Sequence, residues 1–240
     1  MNHRLIIALL IALLVTVSEV NAKKHKQKSA PVTTEWPEEI PDYEEPAEPD
    51  ESAKPADVQP DFSRLSDDEL LERLISQPIL GESQIDAKTI HKFVARHNPD
   101  FDIAIAEAYL TVGNRYGIRG DIALCQSILE TGWFRFADGT SVTPDQHNYC
   151  GLGVTKIGQK GQSFDSVEQG VTAQIQHLFA YACSKPLPRG EKLLDPRFKF
   201  VNRGVAPTWA DLSGRWAANS HYARSIMRLY AQLSRFSMNK

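Results

Sequence analysis

The chain has 240 residues, 42% hydrophobic and 24% charged, and a formal net charge of −3. That charge is uneven: residues 23–62 hold 5 Lys against 11 acidic residues, net −6, and residues 63–240 hold 21 basic against 18 acidic, net +3. An excess of that size favours approach to an anionic cell wall but is too small to argue nucleic-acid binding. With three Cys at unpaired spacings and no His-Glu-x-x-His, the sequence argues against a zinc enzyme, and no metal or cofactor is expected.

Residues 1–22 carry Arg4, an apolar run from Leu5 to Val17, and the small-residue ending Val20-Asn21-Ala22. The run is short of the about 20 apolar residues that a membrane span needs. It reads as a secretory signal cleaved after Ala22, which implies a secreted or envelope location and no membrane attachment after cleavage. Lys23-Lys24 beyond the run keep an uncleaved anchor as the alternative. Residues 23–62 are acidic and Pro-rich with few aliphatic side chains, the composition of a disordered linker.

Residues 63–240 are long enough for one domain with a full core, expected to be a monomer. Ser66 and Glu69 have capping-box spacing at the start of a short helix ending near Ser76. Periodic apolar positions predict helices over Ile85–His97, Ile103–Tyr116, Phe164–Cys183, Trp209–Asn219 and Tyr222–Phe236. The Phe164–Cys183 helix starts from Asp165 as cap, with Glu168 reaching back to it. From Phe134 to Phe164, glycines punctuate short β-prone pieces such as Leu152–Ile157, which predicts a loop and a small β-hairpin.

Between these lies Asp121–Gly132, with Asp121 as the expected N-cap and Gly132 as the stop. Ile122, Cys125, Ile128 and Leu129 fall in one apolar arc, and Cys125 reads as a small apolar filler. Glu130 is the odd residue. A carboxyl in the last turn faces the negative end of the helix dipole, and apolar neighbours raise its pKa further. That is what a general acid working near neutral pH needs. Gln126, one turn earlier, is placed either to bind a ligand or to orient Glu130.

The segment Cys125-Gln126-Ser127-Ile128-Leu129-Glu130-Thr131-Gly132-Trp133 resembles the signature of the peptidoglycan-cleaving N-acetylglucosaminidases of glycoside hydrolase family 73. The resemblance runs from Ile85 to Leu233. The 144–153 stretch is similar to the family's Asn-Asn-Phe-Gly-Ile box, with Asn148 on a family Asn and Cys150 where Phe is common. Arg215–Ala223 resembles Tyr-Ala-Thr-Asp-Pro-x-Tyr-Ala, with Asn219-Ser220 replacing Asp-Pro. The resemblance implies a mainly α, lysozyme-like fold with a small β-hairpin lobe, Glu130 as general acid, and Tyr222 lining the catalytic centre. The substrate it implies is the glycan strand of bacterial peptidoglycan. Asn148 and Tyr149 become candidates for binding sugar hydroxyls and acetamido groups, and Trp133, Phe136 and Tyr149 candidate sugar platforms. The second catalytic role falls either to Asp165 or to the substrate's own acetamido oxygen. A lytic transglycosylase, or a wall-binding module without activity, are the competing readings.

Overall fold

The computed structural model describes residues 66–137, 140–154 and 159–239, the side chains of Asp67 and Asp68 excepted. The signal and linker expected at 1–22 and 23–62 lie outside the described residues. Six α-helices carry the domain among the described residues: α1 Asp67–Ile75, α2 Ala87–Ala95, α3 Ile103–Tyr116, α4 Gly120–Thr131, α5 Val167–Ala182 and α6 Tyr222–Met238. Single 3-10 turns stand at Pro144–Gln146, Phe198–Phe200 and Ala210–Leu212. None of the helices described is long and apolar enough to cross a membrane.

Helix α4 is the axis of the molecule. Gly120 through Ile128 are buried on every face, because α3 and α6 both pack against α4 while α5 closes over α3. This dense packing needs two glycines. A Cβ on Gly120 would stand 2.2 Å from the Tyr109 carbonyl oxygen, and one on Gly113 would stand 2.9 Å from the Gly120 Cα. Side chains there would force α3 and α4 apart.

Asp121 does not cap α4, as its place in the sequence suggested. The helix begins one residue earlier, after Arg119, and Asp121 lies buried in the first turn, where a negative charge is favoured. Its carboxylate accepts from Arg119 Nε at 3.0 Å, from Arg119 Nη2 at 2.9 Å and from the Gln84 backbone N–H at 2.9 Å. Arg119 also donates to the Tyr230 hydroxyl. One buried ion pair thereby ties the chain before α2, the start of α4 and the middle of α6.

The Ser66–Glu69 capping box forms as expected. The start of α5 differs. Ser66's counterpart there is Ser166, which caps Gln169, and Gln169 rather than Glu168 reaches back, accepting from the Asp165 backbone N–H. Glu168 points outward to Arg115 at 2.7 Å. Ser at the cap and Gln at the third helical position fit the capping pattern better than Asp165 and Glu168, one residue out of register.

Trp209–Asn219 is not a helix. It makes one turn at Ala210–Leu212 and then bends so that Gly214 N–H bonds to Ala217 O at 2.7 Å. Gly214, at φ 78°, stops the turn. The expected β-hairpin is also not confirmed. Strand-like pairs among the described residues are the isolated bridges Pro78–Thr208, Leu80–Ile118 and Ser213–Ala217, none of them in the 134–164 stretch. There Gly151 and Gly153 turn with φ 69° and 82°, and a side chain stands in for a ladder: Asn148 Nδ2 donates to Leu152 O and Gln162 O. Residues 155–158 of this stretch lie outside the described residues.

Candidate active site

Glu130 sits in the last turn of α4, half-buried, and the chain leaves it sharply. Gly132 adopts the left-handed conformation, and so do Trp133 and Phe134 at φ 65° and 55°, which is costly for aromatic residues. The turn is held from outside. Asn98, just past α2, donates to the carbonyls of Trp133 and Phe134 at 3.1 and 3.2 Å, and the His97 ring stacks on Trp133 at 3.7 Å. Trp133 is partly buried, and this contact covers one face of the ring that the sequence offered to a sugar.

Two groups favour the charged form of the Glu130 carboxyl. Tyr222, first residue of α6, donates its hydroxyl at 2.5 Å, and the Trp216 indole acts in the same direction. Burial outweighs both and pushes the Glu130 carboxyl up to about 7. Burial, with the Glu130 charge behind it, holds the Tyr222 phenol well above its ordinary value, so the phenol keeps its proton and remains a donor.

Behind Tyr222 runs a directed chain of buried hydrogen bonds. Tyr109 and Ser127 hydroxyls meet Gln174 Oε1 at 2.5 and 2.9 Å. Gln174 Nε2 donates to Gln126 Oε1 at 2.9 Å, and Gln126 Nε2 donates to the Tyr222 hydroxyl at 2.8 Å. Each amide accepts at its oxygen and donates at its nitrogen, so the phenolic hydrogen is left with Glu130 as its acceptor. Gln126 is fully buried, and its path to Glu130 runs through the Tyr222 hydroxyl.

Asn148 and Tyr149 are not placed on an open face. The Asn148 oxygen accepts from Cys150 and Leu152 N–H groups, its nitrogen donates to two carbonyls, and the side chain is buried. Its amide is spent on shaping the loop. Tyr149 packs among Tyr109, Phe134 and Phe136, and burial lifts its phenol above the ordinary value, so it stays protonated. Phe136 is partly buried in the same cluster. Asp165 is exposed at the mouth of α5, with no hydrogen bond joining it to Glu130 among the described residues.

A cleft is lined by Trp216, Cys150, the Gly151–Val154 turn, His177, Tyr181, Arg197 and Phe200; Glu130 does not itself line it, but Trp216 and Cys150, which do, interact with Glu130. Two of these, Trp216 and His177, and Asp195 behind His177, were not assigned to the site by sequence reasoning. Trp216 lies in the quoted Arg215–Ala223 motif, but nothing in spacing aims its indole at Glu130. His177 and Asp195 form a buried pair at 2.7 Å; the isolated Asp195-Pro196 in a Pro-broken stretch was the one available signal. Cys150 and His177 share the cleft, yet they are no nucleophile and base. Burial, then the Glu130 and Asp195 charges, hold the Cys150 thiol well above its usual value, and a thiol is a poor nucleophile. The three cysteines are free.

Residues 106–235 match the Glucosaminidase family, described as mannosyl-glycoprotein endo-beta-N-acetylglucosaminidase. The chain belongs to that family. It spans α3 to α6 and so includes Glu130, Trp216 and Tyr222. The chain is also similar to an uncharacterized protein of Borreliella burgdorferi, 34% identical over 161 residues that make up 65% of this chain and 76% of the other. Membership makes this glucosaminidase a glycoside hydrolase with peptidoglycan-related activity, and its helical architecture is consistent with the family's lysozyme-like fold.

Proposed function

We propose that this glucosaminidase is exported, cuts the glycan strands of bacterial peptidoglycan as an endo-β-N-acetylglucosaminidase, and uses Glu130 as its general acid. The observation that carries the proposal is a half-buried carboxyl behind Trp216 and Cys150 of the cleft wall, raised by burial to about 7 and met by a phenol that keeps its own proton. In that state Glu130 holds a proton at neutral pH and can give it to the leaving glycosidic oxygen. Tyr222 fixes the carboxyl's orientation, and Gln126 and Gln174 fix Tyr222.

The groups that act on Glu130 are a phenol and an indole, with no second carboxylate beside them among the described residues. This favours substrate assistance over a role for Asp165. The acetamido oxygen forms the bond to the anomeric carbon as the glycosidic C–O bond breaks and Glu130 protonates the departing oxygen. Water then opens the cyclic intermediate, and its proton returns to Glu130. The same observation supports a lytic transglycosylase, in which the sugar's own hydroxyl replaces that water. Mass spectrometry of products from defined peptidoglycan, run in isotopically labelled water, tests this. A labelled reducing-end N-acetylglucosamine is the expected product; an unlabelled anhydro sugar, lighter by one water, would assign the transglycosylase, and no product at all would leave a binding module.

A further inference from the structure

We infer that the basic lip of the cleft, which carries Arg197, Lys199, Arg203, Arg215 and the open ring of Phe200, is a docking surface for the chain's own acidic run at residues 35–51, which occupies it in competition with substrate. Only the competition rests on the glycan reading above; the docking stands on charge and surface.

Residues 185–203 hold six basic residues against two acidic ones, and both acids are engaged. Glu191 accepts from the Tyr116 hydroxyl at 2.8 Å and faces Arg115 at 3.6 Å. Asp195 accepts from His177 Nδ1 at 2.7 Å and from the Arg197 backbone N–H at 2.8 Å. None of the six basic side chains makes an ion pair among the described residues. Their charge gathers at the cleft. Arg197, Phe200, Val201 and Trp216 line it, and Lys199, Arg203 and Arg215 stand within two residues of these in the chain. Arg203 Nη2 donates to the carbonyls of Cys183 and Lys185, and Arg215 Nη1 to that of Asp211; these neutral partners leave both charges uncompensated. The Tyr181 hydroxyl, on the cleft wall, donates to the Arg215 carbonyl at 3.1 Å. Burial raises this phenol, and the charges of Arg197 and Arg215 both act against it, so the two guanidiniums share one side of the cleft. The Arg197 guanidinium lies 5.7 Å from the centroid of Phe200. That ring is 78% exposed, more than any other large apolar side chain among the described residues.

Such a surface is matched by a segment both acidic and aromatic. Residues 35–51 hold nine acidic residues and no basic one, with Trp36, Ile40 and Tyr43 among them. They also reach. About 15 residues separate Glu51 from Ser66 at the start of the described domain, and fully extended these span about 50 Å, against a radius of gyration of about 16 Å for a domain of this size. The tether gives the run an effective concentration on the order of millimolar, so contacts too weak to hold a free peptide suffice.

Carbodiimide, which joins carboxylates to lysine amines in direct contact, tests the docking on the dilute full chain, with linked peptides read by mass spectrometry. Linkages from residues 35–51 to Lys199, Lys185 and Lys192 are expected in about 0.01 M salt, where charges act over about 30 Å, and their loss in about 1 M salt, where that reach falls to about 3 Å. No linkage, or linkage spread evenly to the exposed Lys88 and Lys92 of α2, overturns the docking. Linkage confined to crosslinked dimers would give the lip to a second copy, and unlinked lip lysines on a chain that sediments with phosphatidylglycerol vesicles would give it to an anionic bilayer; either overturns it too. Replacing the nine acids of 35–51 by Gln or Asn in the full chain changes none of the described residues, and cleavage of peptidoglycan strands in low salt should then rise about threefold or more. An unchanged rate overturns the competition. Lip-specific linkage in a chain that cuts nothing would sink the glycosidase reading and leave the docking, whereas cutting with no lip linkage would do the reverse.

Discussion

Replacing Glu130 by Gln should make the folded protein more stable, and by an amount that grows with pH. The carboxyl has an ordinary value of 4.5 and stands at about 7 in the folded protein. Below pH 4.5 it is protonated whether the chain is folded or not, and its contribution to stability is fully present. As pH rises towards 7 the unfolded chain has lost the proton while the folded chain still binds it, so stability falls. The loss is complete once pH passes the folded value. The gap corresponds to about 3 kcal/mol, and partial exposure of the carboxyl to water brings the expected figure down to about 1–3 kcal/mol. Gln is neutral at every pH, and its oxygen still accepts from Tyr222, so it avoids this loss. Urea unfolding of both proteins at pH 5 and pH 8 reads the difference directly. Nearly equal stabilities at pH 5 and a Gln variant ahead at pH 8 are expected. A difference that does not change with pH would mean the carboxyl titrates normally, and the proton-donor argument would lose its physical basis.

Tyr222→Phe removes a donor that favours the ionised carboxyl, so the alkaline limb of the pH–rate profile should move upward by about one to two pH units; a limb that stays in place would show that the phenol does not set the acid's state. Ser166→Ala should cost about 1 kcal/mol through the lost α5 cap, while Glu168→Ala, which breaks an exposed pair with Arg115, should cost well under about 1 kcal/mol; thermal melts decide, and the reverse order would restore Glu168 as the capping residue. Gly170→Ala puts a Cβ 1.7 Å from the His147 carbonyl oxygen, so the melting curve should report a loss of about 3 kcal/mol or more. Asn148→Ala strips four hydrogen bonds from its loop and should lower stability by about 2–3 kcal/mol. If it instead weakened ligand binding with stability intact, Asn148 would be a sugar contact after all.

The parts of the fold that were legible in the sequence were those governed by local periodicity. Helix α3 was placed to the residue, and α6 and the Ser66–Glu69 box closely, because apolar spacing and caps are short-range signals. Trp209–Asn219 misled because its apolar residues Trp209, Leu212, Trp216 and Ala217 keep a helix-like spacing while Gly214 breaks the backbone. Asp121 misled because a good capping residue was needed for a buried ion pair with Arg119 and a hydrogen bond from the Gln84 backbone N–H, 37 residues away in sequence. Asn148 looked like a ligand group, and nothing local reveals that its amide would close a loop on Leu152 and Gln162. At the site, Glu130 was conspicuous since a carboxyl in that turn contradicts both dipole and neighbours. The meeting of Trp216, His177 and Asp195 depends on how α5, the Pro-rich stretch and the turn before α6 converge, and no local pattern carries that information.

The central claim is that Glu130 donates the proton, and the cleavage rate of Glu130→Gln on soluble peptidoglycan strands at pH 6, with strand binding measured alongside, tests it most directly. The account predicts a rate lower by about 10²–10⁴ with binding retained. A Gln variant that cuts at the wild-type rate would contradict it.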